Sequence, residues 1–296
     1  MIPNFLIIGA QKAGTTSLIN YLSKHPDIYV PEDKEISCFY DDANYNKRFI
    51  NYPFMKYYDN WKGQKYAGNA PVNTLYFAET TSKRIYDFNP SIKLIAILRN
   101  PIERLYSAYW FFVRCGLETE SFESALKREV YLLKHGKFKE LSDLTYVSHG
   151  FYYRQLMNFY KHFDKKQFLI LLYDDFKIDP PQTLKSIYNF LEVKEYVDND
   201  LVNKKYNVSS KAKIQSIHNF IFRDHFIKHI YKRALPEGIR YKVRINFIKK
   251  ILKINLEKFN YPPIDSSTKK YLLKIFEEHN NKLQSLLGRE LNSWQF

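Results

Sequence analysis

The residues with the clearest chemistry lie near the start of the chain, in the stretch GAQKAGTTS that runs from Gly9 to Ser17. Two glycines five positions apart, followed by hydroxyl side chains, nearly reproduce the phosphate-binding pattern G-x-x-x-x-G-K-[ST]. Such a loop binds anions because free backbone N–H groups and the positive end of a helix dipole point at one spot. The lysine that the pattern places after the second glycine is Thr15 here, and Lys12 lies inside the loop instead. We therefore predict a phosphate cradle whose cation is placed differently from that of an ATPase.

Two further features are expected to converge on the same ligand. Arg99 follows the apolar run 92–98, and Ser107 lies two turns into the helix that we predict after it. Arginine presents a planar set of donors that suits a second phosphate, and a serine hydroxyl adds another donor. Glu35 lies in a loop that follows the first helix and can fold back over its start. In a doubly wound sheet, ligands bind beyond the carboxyl ends of the strands, which is where the cradle and Arg99 fall.

Apolar runs predict the strands that position these residues. Residues 5–8, 92–98 and 168–173 are near-continuous apolar segments, which are typical of buried strands in a parallel sheet. Helix signals lie between them, such as Asn100 as an N-cap before Pro101. We predict helices over 14–22, 101–115, 121–135, 151–162, 179–191 and 265–287, a loop with a short strand over 28–42, and short helices and loops over 44–78.

This alternation of strands and helices predicts the fold class. We expect an α/β fold with a P-loop-like parallel sheet, helices on both faces and a mainly helical C-terminal third. The chain has 296 residues and shows no repeat or linker, so we expect a single domain. Its core is predicted over 4–195, and a helical extension of the same domain over about 207–296.

Composition and charge indicate what kind of partner the protein binds and which kinds of protein it does not resemble. The formal net charge of +15 predicts attraction to an anionic partner, and nucleotide, acidic glycan, nucleic acid and membrane surface remain open on charge alone. The sequence contains no run of about 18 apolar residues, so it predicts no membrane span. Its first residues lack the basic and apolar regions of a signal peptide. The two cysteines do not make a disulfide framework, and the eight histidines show no metal-ligand spacing. We expect a cytoplasmic protein without a metal.

The motifs together resemble those of sulfotransferases that use 3′-phosphoadenosine 5′-phosphosulfate (PAPS), closest to the branch of the heparan sulfate and carbohydrate sulfotransferases and their bacterial relatives. GAQKAGTTSL (9–18) resembles the 5′-phosphosulfate loop of that family, ILRNPIERLYSAYWFF (97–112) its 3′-phosphate motif, and KEISCFY (34–40) the segment that carries its base. The likeness covers most of residues 4–195 and resumes near 262–294. It implies a transferase that moves a sulfuryl group to a hydroxyl, less readily an amine, of a saccharide, glycolipid or related acceptor.

The resemblance also implies roles for individual residues. Lys12 would be the catalytic lysine, and Glu35 the general base that receives the proton of the acceptor. Arg99 and Ser107 would bind the 3′-phosphate. The cofactor-binding residues of the cradle would be Gly9, Gln11, Lys12, Ala13, Gly14, Thr15, Thr16 and Ser17, and Lys205 and Lys211 lie in the segment 203–213 that would close the adenine end.

Two segments near the implied acceptor depart from the family pattern. Many O-sulfating relatives carry a histidine two residues after the glutamate, where this chain has Ser37. A Gly-Glu-x-Ser/Thr-Pro segment is frequent before the central strand, where this chain has GNAP over 68–71, one residue shorter and without the acid. We therefore place Lys34, Ser37 and Asn69 near the acceptor and leave the identity of the acceptor open.

Two other functions fit parts of the sequence. A P-loop kinase or NTPase could hold magnesium with Asp174, after the run 168–173, but lacks a lysine at position 15. A non-catalytic module could bind RNA or an anionic glycan through the basic surface. The amphipathic stretch 242–258 has a basic face that could line a groove for an anionic acceptor or lie on a membrane. The sulfotransferase interpretation expects no nucleic acid partner and leaves the oligomeric state open.

Overall fold

The computed structural model describes residues 3–33, 35–36, 38–40, 42, 45, 55–137, 144–196, 210–212, 256–258 and 261–294. Its strands are β1 (Phe5–Gly9), β2 (Ile28–Tyr29), β3 (Tyr66–Asn69), β4 (Lys93–Leu98), β5 (Phe168–Leu172), β6 (Ser210–Ala212) and β7 (Leu256–Lys258). Its α-helices are α1 (Thr15–Leu22), α2 (Ala78–Phe88), α3 (Pro101–Arg114), α4 (Phe122–Lys134), α5 (Tyr152–Phe159), α6 (Tyr173–Ile178), α7 (Pro180–Leu191) and α8 (Ser266–Leu287).

The first five strands form one sheet in the order β2-β3-β1-β4-β5, and every neighbouring pair in it is parallel. β1 lies in the middle, between β3 and β4, and all of its residues are buried. β4 pairs with β5 from Leu94 opposite Phe168 to Leu98 opposite Leu172. The carboxyl ends of β1, β3 and β4 therefore share one edge of the sheet, where a ligand is expected. The predicted α/β fold with a parallel sheet is confirmed.

The helices begin where the local signals predicted. Asn100 accepts hydrogen bonds from two N–H groups of the first turn of α3, and Pro101 is the first helical residue. Ser121 caps α4 and Asp179 caps α7 in the same way. Short polar side chains next to apolar runs are strong start signals, which is why these boundaries agree with prediction to within a few residues.

β3 is the strand of the large sheet that the sequence prediction missed, because we assigned residues 44–78 to short helices and loops. That prediction is wrong for Tyr66–Asn69. Gly68 lies opposite Phe5 of β1, and a Cβ atom added to it would come within 2.2 Å of the Phe5 carbonyl oxygen. Only glycine permits this approach of two backbones, and a glycine in a short polar segment indicates a turn rather than a strand.

The chain divides into two compact units. The first comprises Met1–Leu105, Val147–Asn207 and Lys269–Phe296 and contains the five-stranded sheet. The second comprises Tyr106–Tyr146 and Val208–Thr268 and contains the antiparallel pair of β6 and β7.

A buried carboxylate organises the second unit. Glu118 accepts hydrogen bonds from the Tyr146 hydroxyl (2.8 Å), from Arg128 (3.0 Å) and from the N–H of Glu120 (3.0 Å). Burial alone would raise the pKa of Glu118, but these hydrogen bonds outweigh it and hold the pKa below its usual value. The charged carboxylate therefore stabilises the second unit at neutral pH, and this stability is lost as the pH falls through the lowered pKa.

The C-terminal third is described only in part. α8 confirms the predicted helix over 265–287, and Gly288, with φ at 60°, ends it. Within the predicted helical extension, Ser210–Ala212 and Leu256–Lys258 form the strands β6 and β7, so the helical prediction is wrong there. Residues 213–255 lie outside the described residues. In the ranges that the structure covers, no helix is both long enough and apolar enough to span a bilayer.

Candidate active site

The Gly9–Ser17 cradle lies directly after β1, the middle strand of the sheet. Its backbone is left-handed at Lys12 (φ 66°) and at Gly14 (φ 89°), and Gly14 is the N-cap of α1. No side chain in the described part of the chain makes a capping hydrogen bond there, so the first N–H groups of α1 are available to an anion. Thr15 is buried, and Thr16 is half-buried. The predicted strand, glycine loop and helix are confirmed.

The ring of Tyr173 connects the cradle to Arg99. A Cβ atom on Gly14 would come within 3.0 Å of this ring, so the glycine lets the cradle close onto it. The Arg99 guanidinium lies over the same ring, 4.8 Å from its centre. Arg99 Nη1 also donates to the carbonyl oxygen of Lys12 at 3.3 Å. The cradle and the arginine, which are 85 residues apart at Gly14 and Arg99, are therefore neighbours.

Residues far away in the sequence hold the corner from which Arg99 extends. The Tyr152 hydroxyl donates to the Arg99 carbonyl oxygen at 2.9 Å, and burial raises the pKa of Tyr152 to about 12, which keeps this donor protonated. The Asn100 side chain donates to the Ser293 carbonyl oxygen at 3.2 Å. Trp294, the next residue, is buried against Tyr152. The C-terminal turn thus supports the arginine without being near it in the sequence.

Asp174, the magnesium ligand that the kinase alternative requires, is engaged by the same C-terminal turn. Its Oδ2 atom accepts hydrogen bonds from Ser293 Oγ at 2.9 Å and from Trp294 Nε1 at 3.2 Å. Its neighbour Asp175 forms an ion pair with Arg289. Among the described residues, no group of three or more His, Cys, Asp or Glu side chains could hold a metal ion. The contacts of Asp174 therefore support the Arg99 corner.

The other predicted residues are placed less completely. Ser107 is half-buried on α3 and belongs to the second unit, so its role at a 3′-phosphate stays a prediction. Glu35 is exposed and precedes the buried Ile36, and its role as a base also stays a prediction. Lys34, Ser37 and Lys205 lie outside the described residues, and Lys211 is described only through its backbone in β6.

A second polar region, most of which the sequence prediction missed, follows β3. We call Asn69, Asn73 and Thr74 the polar edge. Asn69 and Thr74 are fully buried. Both amide atoms of Asn69, the Thr74 hydroxyl and the side-chain oxygen of Asn73 have no hydrogen-bond partner within the described ranges. Buried polar groups are nearly always satisfied in folded proteins, so these atoms are available to a ligand, to water or to residues outside the described ranges.

The polar edge adjoins the cradle. The N–H of Leu75 donates to the carbonyl oxygen of Ile8 at 2.8 Å, and a Cβ atom on Gly9 would come within 2.8 Å of Leu75. The side-chain oxygen of Gln11, in the cradle, is likewise buried without a partner in the described part of the chain. The unsatisfied groups thus follow two neighbouring strands, β1 and β3. Asn73 and Thr74, which follow Pro71, carry no specific sequence signal. For this reason Asn69 was the only member of the polar edge that we predicted.

Beyond the polar edge, Tyr76 packs face to face on His149, with the ring centres 3.7 Å apart. The hydroxyls of Tyr76 and Ser148 lie 3.2 Å apart and form a hydrogen bond. Burial, with a further contribution from the Arg104 cation, lowers the pKa of His149 well below its usual value. The imidazole is therefore neutral at pH 7. No spacing in the sequence singles out either ring.

Comparison with known proteins shows the family of the chain. The sequence profile of the Sulfotransferase domain family matches residues 3–234, which is more than half of the chain. The chain belongs to this family. The resemblance that the motifs indicated is thereby confirmed.

Individual relatives of the sulfotransferase chain show the same branch. It is 29% identical over 199 residues, 66% of the chain, to the bifunctional heparan sulfate N-deacetylase/N-sulfotransferase 1 of Caenorhabditis elegans, and it spans only 22% of that protein. It is 25% identical over 291 residues to the heparan sulfate glucosamine 3-O-sulfotransferase 5 of Homo sapiens, covering 98% of the chain and 74% of the relative. A crystal structure of a sulfotransferase from Alicyclobacillus acidocaldarius matches with a TM-score of 0.70 at 24% identity over all of both chains, which confirms the fold.

Proposed function

We propose that this chain transfers the sulfuryl group of PAPS to a hydroxyl of a saccharide or glycolipid and releases adenosine 3′,5′-bisphosphate. One observation carries the proposal: Arg99 donates to the carbonyl oxygen of Lys12, so a guanidinium stands beside the glycine cradle. A nucleotide with anionic groups at both its 5′ and 3′ positions suits two anion-binding features held this close together.

The residues divide the work of an in-line displacement. The cradle holds the 5′-phosphosulfate, and Arg99 with Ser107 holds the 3′-phosphate. As the acceptor oxygen bonds to sulfur, the S–O bond to the nucleotide breaks, and negative charge develops on the oxygen that stays with phosphorus. Lys12 neutralises that charge, which is the kind of electrostatic stabilisation that dominates such transfers. Glu35 takes the proton of the acceptor hydroxyl, since a glutamate carboxylate is ionised at neutral pH.

The polar edge supports a hydroxyl-rich acceptor. Asn69, Asn73 and Thr74 are uncharged and offer both donors and acceptors, which is what sugar hydroxyls require. Their atoms without described partners adjoin the cradle through the contact of Leu75 with Ile8. The names of the relatives, which refer to heparan sulfate, also favour a glycan over an unrelated alcohol. Transfer to an amine is the less favoured variant of the same reaction.

The wider setting of the reaction belongs to the same proposal. Residues 1–296 act as one sulfotransferase domain, in which Lys205 and Lys211 contribute to the adenine end. Cys38 and Cys115 are buried and form no disulfide within the described residues, which favours a reducing compartment such as the cytoplasm. The basic stretch 242–258 is the proposed site of any peripheral membrane contact.

Calorimetric titration tests the proposal against its two alternatives. We expect adenosine 3′,5′-bisphosphate to bind in the presence of EDTA, and Arg99→Ala to weaken that binding by at least about tenfold, because a charge-assisted bidentate contact is lost. Arg154→Ala is the matched control, since Arg154 also pairs with a glutamate, Glu79, but on the exposed surface. Binding of ATP with magnesium alone would favour a kinase, and binding of neither nucleotide would favour a non-catalytic module.

Incubation with PAPS labelled in its sulfur then tests the transfer itself. We expect label to move to a neutral or acidic oligosaccharide or a glycolipid in a panel of acceptors. Transfer should stop in Lys12→Ala even though the bisphosphate still binds. Label that reaches no hydroxyl or amine acceptor, in a protein that binds the bisphosphate, would contradict the proposed reaction.

A further inference from the structure

Arg99 already has an anionic partner where the proposed phosphate would bind. Its Nε and Nη2 atoms both donate to Oε2 of Glu103, at 3.1 and 2.9 Å. This pair of N–H groups forms one of the two edges through which a guanidinium grips a phosphate with two parallel hydrogen bonds. A carboxylate of the chain itself therefore occupies the arginine where it would hold the nucleotide.

The rest of the arginine is held in place by other groups. Nη1 donates to the Lys12 carbonyl oxygen, and the plane of the guanidinium lies over Tyr173. The Arg99 side chain is only 21% exposed, whereas that of Glu103 is 53% exposed. Glu103 can thus turn into water while Arg99 keeps its position. The pair joins Arg99, which precedes α3, to a half-exposed glutamate in the first turn of that helix. A partly exposed ion pair of this kind contributes little to folding, so the structure loses little when the pair opens.

From this arrangement we propose that Glu103 sets the affinity of the site for the nucleotide and the rate of product release by competing with the 3′-phosphate for Arg99. The inference rests on the proposed function, because it takes Arg99 as the 3′-phosphate ligand. A phosphate dianion carries more charge than a carboxylate and displaces it when the nucleotide binds. The carboxylate remains nearby on the first turn of α3, where it repels the bound phosphate and pairs with Arg99 again when the bisphosphate leaves.

A purely orienting role for Glu103 gives the opposite expectation. If the glutamate only held Arg99 in position for the phosphate, its removal would leave the arginine more mobile, and the nucleotide would bind more weakly. If Glu103 competes, its removal frees an arginine that Lys12 and Tyr173 still hold, and the nucleotide binds more tightly. The sign of the change in affinity therefore separates the two roles.

Glu103→Gln in the full chain tests the inference. Titration calorimetry with adenosine 3′,5′-bisphosphate is expected to give a dissociation constant about 2- to 5-fold lower than that of the wild type, the range of one exposed ion pair. Stopped-flow displacement should show that slower dissociation accounts for most of the change. Asp87→Asn is the matched control, because Asp87 forms an exposed i,i+4 ion pair with Lys83 on α2 and its loss changes the net charge equally. The control should leave the affinity unchanged.

The outcomes distinguish this inference from the proposed function. A weaker or unchanged affinity in Glu103→Gln, with Arg99→Ala impaired and thermal melting unchanged, would overturn the competition and leave PAPS as the donor. An equal gain in Asp87→Asn would also overturn it, since net charge alone would then explain the effect. Failure of the wild type to bind the bisphosphate at all would overturn the proposed function first.

Discussion

The cradle and the polar edge lie side by side at the carboxyl edge of one sheet, but they are built from different groups. The cradle follows β1 and consists mainly of backbone N–H groups, with left-handed turns at Lys12 and Gly14. The polar edge follows β3 and consists of side-chain amides and a hydroxyl, several of whose atoms have no partner in the described part of the chain. Both regions are suited to polar ligands, and only the first depends on backbone conformation.

This difference separates what two sulfotransferases can share from what they can vary. A backbone cradle needs glycine at defined positions, because a side chain at Gly14 would meet Tyr173 and require an unfavourable φ. The glycine spacing therefore persists in the sequence as a pattern. Side chains of the polar edge can change type without disturbing β3, so under the proposed function that region can be adapted to another acceptor. The sequence thus carries a pattern for the cradle and none for the polar edge.

The largest effect is expected from the two predicted catalytic residues. Lys12→Ala and Glu35→Gln should each lower the turnover of PAPS by at least about 10²-fold, because charge stabilisation and proton transfer are typically worth that much. Binding of the bisphosphate should change far less, and circular dichroism should show an intact fold. Lys62→Ala, an exposed lysine, is the control. Wild-type turnover in Glu35→Gln would mean that another group is the base.

A smaller effect is expected when the backbone of the cradle is altered. Gly14→Ala adds a methyl group 3.0 Å from the Tyr173 ring at a position with φ at 89°, so the cradle must open or strain. We expect the dissociation constant for adenosine 3′,5′-bisphosphate to rise by about tenfold, which corresponds to about 1.4 kcal/mol. Gly63 also has a positive φ but has open space around it, so Gly63→Ala should lower the stability without lowering the affinity for the nucleotide. Equal affinities in the two variants would argue against a backbone-built site.

A substitution in the polar edge should change the KM for the acceptor and leave the affinity for the nucleotide unchanged. Thr74→Val removes a buried hydroxyl without a described partner, so the free energy of unfolding should stay the same or rise by up to about 1 kcal/mol. The KM for the acceptor should rise about 2- to 10-fold, the value of one hydrogen bond, while nucleotide affinity is unchanged. Thr183→Val is the matched control, because its buried hydroxyl donates to the Asp179 carbonyl oxygen. Loss of stability in both variants with no change in KM would assign the Thr74 hydroxyl a structural role.

The smallest expected effect is the pH dependence of the free energy of unfolding that His149 causes. Burial lowers the pKa of His149 well below 6.5, so below that pH the unfolded chain binds a proton that the folded protein excludes. The free energy of unfolding should therefore fall as the pH decreases from 6.5 towards the folded-state pKa, by at most about 1.4 kcal/mol per pH unit for this proton. Urea denaturation at several pH values measures this slope. His149→Phe keeps a ring against Tyr76 and should reduce the slope, and an unchanged slope would assign the proton to another group.

The sequence predicted most of what lies around β1 and β4. The apolar run 92–98, Asn100 with Pro101, and the glycines of the cradle each carry a local signal, and β4, α3 and α1 confirm them. β3 was missed because its place in the sheet depends on Gly68 fitting against Phe5, which is a contact and not a pattern. The pairing of Arg99 with Glu103 was missed for another reason, since an i,i+4 pair at a helix start looks like an ordinary surface ion pair.

The support of the arginine corner could not be predicted at all. Tyr152, Asp174 and Trp294 meet only in the folded chain, and none of them carries a motif for binding. Hydrogen bonds between residues 53 and 120 positions apart leave no periodic trace in one sequence. The roles of the donor-side residues therefore stay predictions, while the residues that position Arg99 were found only in the structure.

The C-terminal turn has a consequence for the order of folding. Asn100, beside Arg99, donates to Ser293 from 193 positions away, and Trp294 donates to Asp174 from 120 positions away. The Arg99 corner therefore depends on contacts that close long loops, so it should be among the last parts of the first unit to become rigid.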